Sequence, residues 1–187
     1  CKLLNRAEFF FRTLKLLQCT QLTEAIAGYY HVEKEQVFVG VGSDDVLAMA
    51  FMTFFCSKKP LLFPDITYSF YDVWAELYGI PYERIPLDKD MKLVAEDYCR
   101  ENGGIVFPNP NAPTGLAVST GEIEEILKAN PASVVIVDEA YVDFGAESAL
   151  PHDSGVALIC KSYCTYVRGF KTAFADSVVH GTVFAVK

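Results

Sequence analysis

The stretch Ser133 to Phe144, S-V-V-I-V-D-E-A-Y-V-D-F, limits the possible folds more than any other. Val134 to Val137 is an unbroken β-branched run with no polar alternation. A strand that is apolar on both sides must be covered on both faces, as in a parallel sheet flanked by helices. The run stops at Asp138 and Glu139, which brings a carboxylate to the carboxyl end of a buried strand, and Tyr141 follows three residues on. Ligands of open α/β sheets bind beyond that end of the strands. A strand that merely ends in polar residues has the same local pattern, so the rest of the chain has to separate the two readings.

Strand and helix patterns alternate on the amino-terminal side of this run. Gln21 to Tyr30 reads as a helix and Val37 to Val39 as a strand. G-V-G-S-D-D, Gly40 to Asp45, then precedes V-L-A-M-A-F-M-T-F-F, which is apolar on every side and reads as a helix buried in the core. Ser43 or Asp44 can cap that helix. The same small residues leave backbone N–H groups free at a helix start, where the dipole also favours an anion such as phosphate. Leu61 to Pro64 is a short apolar strand ending in P-D-I-T-Y-S-F-Y. Tyr68 falls in the strand-to-helix loop, where an aromatic ring can face a ligand, whereas Tyr71, Trp74, Leu77 and Tyr78 form one stripe that reads as core. Tyr82 to Pro86 alternates like an edge strand, and Val94 to Asn102 reads as a polar helix. Gly104 to Phe107 is another buried strand, and it opens into P-N-P-N-A-P-T-G, Pro108 to Gly115. Three prolines fix φ in that loop, more than a plain turn requires. Ser119 and Glu122 have the spacing of a capping box for a helix to Ala129. Short connections throughout predict an α/β fold: a doubly wound, mostly parallel sheet with helices on both faces.

The bulk numbers exclude several classes. With 187 residues, 51% hydrophobic and 21% charged, the chain can bury a core. A net charge of −8 argues against a nucleic-acid surface. No apolar run approaches the roughly 18 residues of a membrane span. No secretory signal pattern is visible, and a cytoplasmic location is expected. Of the six cysteines only Cys160 and Cys164 are close, and C-x3-C with His152 and His180 nearby does not make a zinc site, so no metal is expected. Scattered thiols suit a reducing compartment. Residues 1 to 18 are cationic and apolar, in keeping with a short amphipathic helix, and carry no assignable chemistry.

Taken together, G-S-D-D before a buried helix, P-D-I-T-Y-S-F-Y, N-P-N-A-P-T-G and V-D-E-A-Y resemble the fold type I aminotransferases that use pyridoxal 5′-phosphate, in particular the histidinol-phosphate subfamily. The resemblance is dense from about Leu22 to Ala149. It implies that Asp138 keeps the cofactor's pyridine nitrogen protonated, since a nearby carboxylate favours the charged ring. It further implies that Tyr141 bonds the phenolic oxygen, that Tyr68 stacks on the ring, and that Gly42, Ser43 and Asp44 hold the phosphate. The implied reaction moves an amino group between histidinol phosphate, or a related amino donor, and 2-oxoglutarate, a 2-oxo acid, in histidine biosynthesis, by a homodimer.

Several positions depart from the family. Ala112 stands where an Asn usually precedes P-T-G, with Asn111 before it as the replacement. Lys171, some thirty residues past Asp138, is the candidate Schiff-base lysine, with Phe170 in place of the usual Ser. As nucleophile and proton carrier, that amine has to be free of its proton. His180 is nearest the place of the family's phosphate-clamping Arg. The family's amino-terminal arm and small carboxyl-terminal domain have no counterpart here, so residues 1–187 are expected to be one cofactor-binding (large) domain. A non-enzymatic reading, a remnant that keeps the fold and dimerises, stands beside the enzymatic one. P-loop and dinucleotide folds fail, because G-x-x-x-x-G-K-[ST] is missing and G-x-G-x-x-G is incomplete at Asp45.

Overall fold

The computed structural model describes residues 20–40 and 42–150, and the course of the chain over 157–163 and 180–186. The amphipathic helix expected over residues 1 to 18, Lys171 and the spacing of Cys160 to Cys164 therefore lie wholly or partly outside the described residues. In chain order the elements are α1 (Thr20–Tyr30), β1 (Val37–Gly40), α2 (Ser43–Phe54), β2 (Leu61–Pro64), α3 (Phe70–Tyr78), β3 (Tyr82–Ile85), β4 (Gly104–Pro108), α4 (Thr120–Ala129), β5 (Val135–Asp138), β6 (Ala157–Tyr163) and β7 (His180–Val186). The strands form one sheet in the order β1-β7-β6-β5-β4-β2-β3. Pairing is parallel from β6 through to β3, and β7 runs antiparallel to both of its neighbours. The expected doubly wound, mostly parallel sheet is what the chain forms.

Successive strand residues point to opposite faces, and the two cores separate accordingly. Leu62, Ile105, Phe107, Val135 and Val137 pack on one face with Ile26 of α1 and Ile123, Ile126 and Leu127 of α4. Leu61, Phe63, Val106 and Ile136 pack on the other with Val46, Leu47 and Phe51 of α2 and Tyr71, Trp74 and Ala75 of α3. Every residue of β5 is buried, as the apolar run requires. Burying each such side chain stabilises by about 1.5–3 kcal/mol. The capping box opens α4: the Glu122 backbone N–H donates to the Ser119 hydroxyl, and the Ser119 N–H donates to the Glu122 carboxylate. At the start of β4, Gly104 has φ of 146°, and any Cβ there would collide with the Phe55 ring.

Three expectations need correction. The polar helix over Val94 to Asn102 is only a single 3-10 turn, Ala95–Tyr98. Asn102 bonds the backbone of Arg100 and Gly104 with its side chain, and such local bonding competes with helix continuation. Leu77 is 69% exposed and off the core stripe of α3, because six residues of helical rotation carry it about 120° away from Tyr71. Helix α2 is not covered on every side among the described residues: Met52 and Phe54 are exposed.

Candidate functional site

Strand β5 ends with Asp138, which is 5% exposed. The Tyr71 hydroxyl donates to its Oδ2 at 2.9 Å, and the Ala140 backbone N–H donates to Oδ1 at 3.1 Å. Burial pushes this carboxyl up to about 6. The negative charges of Asp44 and Glu139 add to the rise, and the two donors oppose it. No ion pair among the described residues includes Asp138. An anion in that state stabilises any cation that reaches it.

The start of α2 faces the same edge. Gly42 is the helix cap, with φ of 93°, a conformation that favours glycine. It has no side chain with which to cap, so the expected capping by Ser43 or Asp44 is not seen. The Asp44 carboxylate instead accepts the Tyr68 hydroxyl at 2.9 Å. The first N–H groups of α2 have no partner within the helix. Tyr68 sits in the loop between β2 and α3, half-buried, with its ring edge-on to Tyr71 at 5.8 Å and stacked on Phe70 at 5.7 Å. Burial, the bond to Asp44 and the charges of Asp44, Asp138 and Tyr141 all push its phenol up. Asp44, Tyr68, Tyr71 and Asp138 thus form one contiguous chain of contacts: Tyr68 bonds Asp44 and packs edge-on against Tyr71, which bonds Asp138.

Tyr141 is 54% exposed and leads into the short 3-10 turn Val142–Phe144. Asn111 is buried in the proline-rich loop, which is tied to β5 by a bond from the Asn109 N–H to the Asp138 carbonyl. Its amide nitrogen donates to the Ile66 carbonyl at 2.9 Å and to the Thr114 hydroxyl at 3.2 Å, while its Oδ1 has no partner. What Asn111 has left to offer a ligand is therefore an acceptor oxygen. Asn111 also lines a hollow of about 410 Å³ with Pro64, Leu93, Pro108, Val118 and Glu122, which Asp138, Tyr68 and Tyr141 do not line. Lys171 lies outside the described residues, as does the side chain of His180.

Two roles escaped the sequence reading. Tyr71, assigned there to the core stripe, is in the core and also holds Asp138. Asp44, assigned to the helix start, also orients Tyr68. Neither pairing leaves a local pattern, since the partners are 67 and 24 residues apart. The buried Glu139 is structural: it accepts from the Ser148 hydroxyl and the Ala149 N–H, which anchors the segment after the 3-10 turn.

Residues 10–170 match the family model described as aminotransferase class I and II. The chain is 56% identical over 130 residues to a histidinol-phosphate aminotransferase of Lactococcus lactis, covering 70% of this chain and 36% of that protein. It is 58% identical over 130 residues to histidinol-phosphate aminotransferase 1 of Pseudomonas aeruginosa, covering 70% of this chain and 37% of that one. The match thus spans about a third of the length of these relatives. In fold it superposes on the crystal structure of the histidinol-phosphate aminotransferase of Clostridium acetobutylicum with a TM-score of 0.73 at 18% identity, over 97% of this chain and 55% of that one.

Proposed function

The chain belongs to the class I and II aminotransferases, and from that premise we propose that residues 1–187 are a cofactor-binding domain. The whole protein moves an amino group from histidinol phosphate, or a related donor, to 2-oxoglutarate as a homodimer using pyridoxal 5′-phosphate, in histidine biosynthesis. The observation that carries this reading is the buried Asp138 carboxylate at the strand end, held by two donors and without an ion-pair partner among the described residues. A protonated pyridine nitrogen is a cation of the right kind for it. With that nitrogen charged, the bound cofactor supplies an electron sink for the substrate's Cα.

The residues fit the group. Asp138 would pair with the ring nitrogen, and that pairing would restore the ionised form that burial disfavours. Tyr68 would lie against the ring, where an aromatic pair contributes about 0.5–1.5 kcal/mol beyond burial. Backbone N–H groups of Gly42, Ser43 and Asp44 receive the phosphate at the start of α2. The half-exposed Tyr141 would donate to the ring's phenolic oxygen. The unpartnered Asn111 Oδ1 is left to accept from a donor on cofactor or substrate.

Lys171 carries the proton lost from the substrate's Cα. Its connection starts after Tyr163 and ends before His180, which pair with each other, and Gly181 pairs with Gly40 just ahead of the α2 start. Both ends of that connection thus lie at the carboxyl edge, as Asp138 does, which supports the assignment.

The test is incubation with pyridoxal 5′-phosphate, followed by a transamination assay with histidinol phosphate and 2-oxoglutarate. The wild-type chain is expected to develop a cofactor absorbance band that is missing in Lys171→Ala. No band from the wild-type chain at saturating cofactor sinks the proposal.

A further inference from the structure

Tyr71 is fully buried, and its ring is wedged among Phe51 at 5.8 Å, Phe63 at 5.9 Å, Tyr68 at 5.8 Å and Trp74 at 6.3 Å. Packing alone would be satisfied by Phe, because a buried phenol adds a hydroxyl that needs a polar partner. That hydroxyl reaches Asp138 Oδ2 from α3, while the Ala140 N–H grips Oδ1 from β5's own continuation. One donor on each oxygen, from two different elements, stops the carboxylate from rotating. Each oxygen still keeps acceptor capacity for a further donor.

Building on the cofactor reading above, we propose that Tyr71 is a positioning residue: its rigidly packed hydroxyl fixes the plane of the Asp138 carboxylate and keeps it ionised for the ring nitrogen. It touches neither cofactor nor substrate in this role. Among the described residues, four groups act on Asp138. Asp44 from α2 and the adjacent Glu139 disfavour its charge, while Tyr71 and the Ala140 N–H favour it. Tyr68, beside it, is coupled to the same charge. Tyr71 is thus the one side chain among these that donates directly to the carboxylate.

The variant is Tyr71→Phe, which keeps the ring and its contacts, with melting curves to verify folding. Asp138 is titrated by carbon NMR in the cofactor-free chain with labelled aspartate, its signal assigned by loss in Asp138→Asn. The expected result is that Tyr71→Phe shifts this titration to higher pH by about one unit, since the lost hydrogen bond favoured the charged form. Cofactor affinity is then expected to fall about threefold near pH 6.5, with the gap to wild type widening towards tenfold at about pH 5 and closing as pH rises to 8.5. A purely structural defect would instead weaken binding equally at every pH. An unchanged Asp138 titration, or a pH-independent loss of affinity, overturns the proposal. If neither protein binds the cofactor but the titration still moves, Tyr71 holds the carboxylate as inferred and the cofactor reading is what fails.

Discussion

The two ends of the sheet are built on opposite principles. At the amino end, Asn102 and Asn130 are both buried, and their amides use one another and the backbone completely. Asn102 donates to Asn130 at 2.6 Å and to the Arg100 carbonyl at 2.7 Å, and it accepts from the Gly104 N–H at 3.0 Å. Asn130 donates to the carbonyls of Tyr98 and Ile126. At the carboxyl end, Asp138 is buried near like charges with its carboxyl pushed up to about 6. Nearby, Thr67 Oγ1 and Asn111 Oδ1 are buried without a partner. The Tyr98 hydroxyl, in the core beneath α4, is a third such atom among the described residues. Satisfied polar networks make a fold rigid, whereas groups left short of partners are available to a ligand. One end therefore holds the sheet together, and the other keeps buried groups short of partners at some cost in stability.

Asp138→Asn should break the contrast most strongly. Cofactor affinity is expected to fall by about 100-fold or more, equivalent to about 2.7 kcal/mol, as read by absorbance titration. The cofactor-free protein should show the reverse. The folded-state pKa of Asp138 is raised from its unfolded value of about 3.8 to about 6, so the stability linked to its protonation is fully present below about pH 4 and lost as pH rises through 6. Asp138→Asn does not titrate and should escape that loss. Urea melts should find it about 1–3 kcal/mol more stable than wild type above pH 6, relative to their difference at pH 4. If the wild type instead gains on the variant between pH 4 and 6, Asp138 is not strained by burial.

Asn102→Ala probes the amino end and should act on stability alone. It strands the Asn130 Oδ1 and the Gly104 N–H, at a cost of about 2 kcal/mol in urea unfolding. Cofactor affinity of the folded fraction should stay within about twofold of wild type, and a large affinity loss would erase the distinction between the two ends. Ser119→Ala should have the smallest effect. Loss of the capping box at α4 is expected to cost about 1 kcal/mol in melting experiments, with no change in cofactor binding.

Much of the fold was legible because its signals are local. The unbroken Val134 to Val137 run required a strand buried on both faces, and β5 is one. Ser119 and Glu122 required a helix start, and α4 begins there. Where the reading failed, a competing local pattern had won: the Asn102 side chain bonds the backbone two residues to either side and drew it out of a helix that the 94–102 stretch otherwise suits. The candidate site was proposed from the sequence only as a set of members, without their contacts. The sequence pointed to Asp138, Tyr68 and Tyr141 but placed Tyr71 in the core alone, because a core tyrosine and a carboxylate-holding tyrosine have the same spacing on a helix.

By itself, then, the sequence determined the alternation of strands and helices, the faces they bury and the edge at which the carboxylate emerges, since periodicity and capping act over a few residues. Tertiary structure alone decided which side chains meet across separations of 24 to 67 residues: Tyr68 with Asp44, Asn102 with Asn130, and Tyr71 with Asp138. The physical reason is that such pairings depend on how α2 and α3 pack over the sheet and how the chain closes at its two ends, which no single stretch encodes.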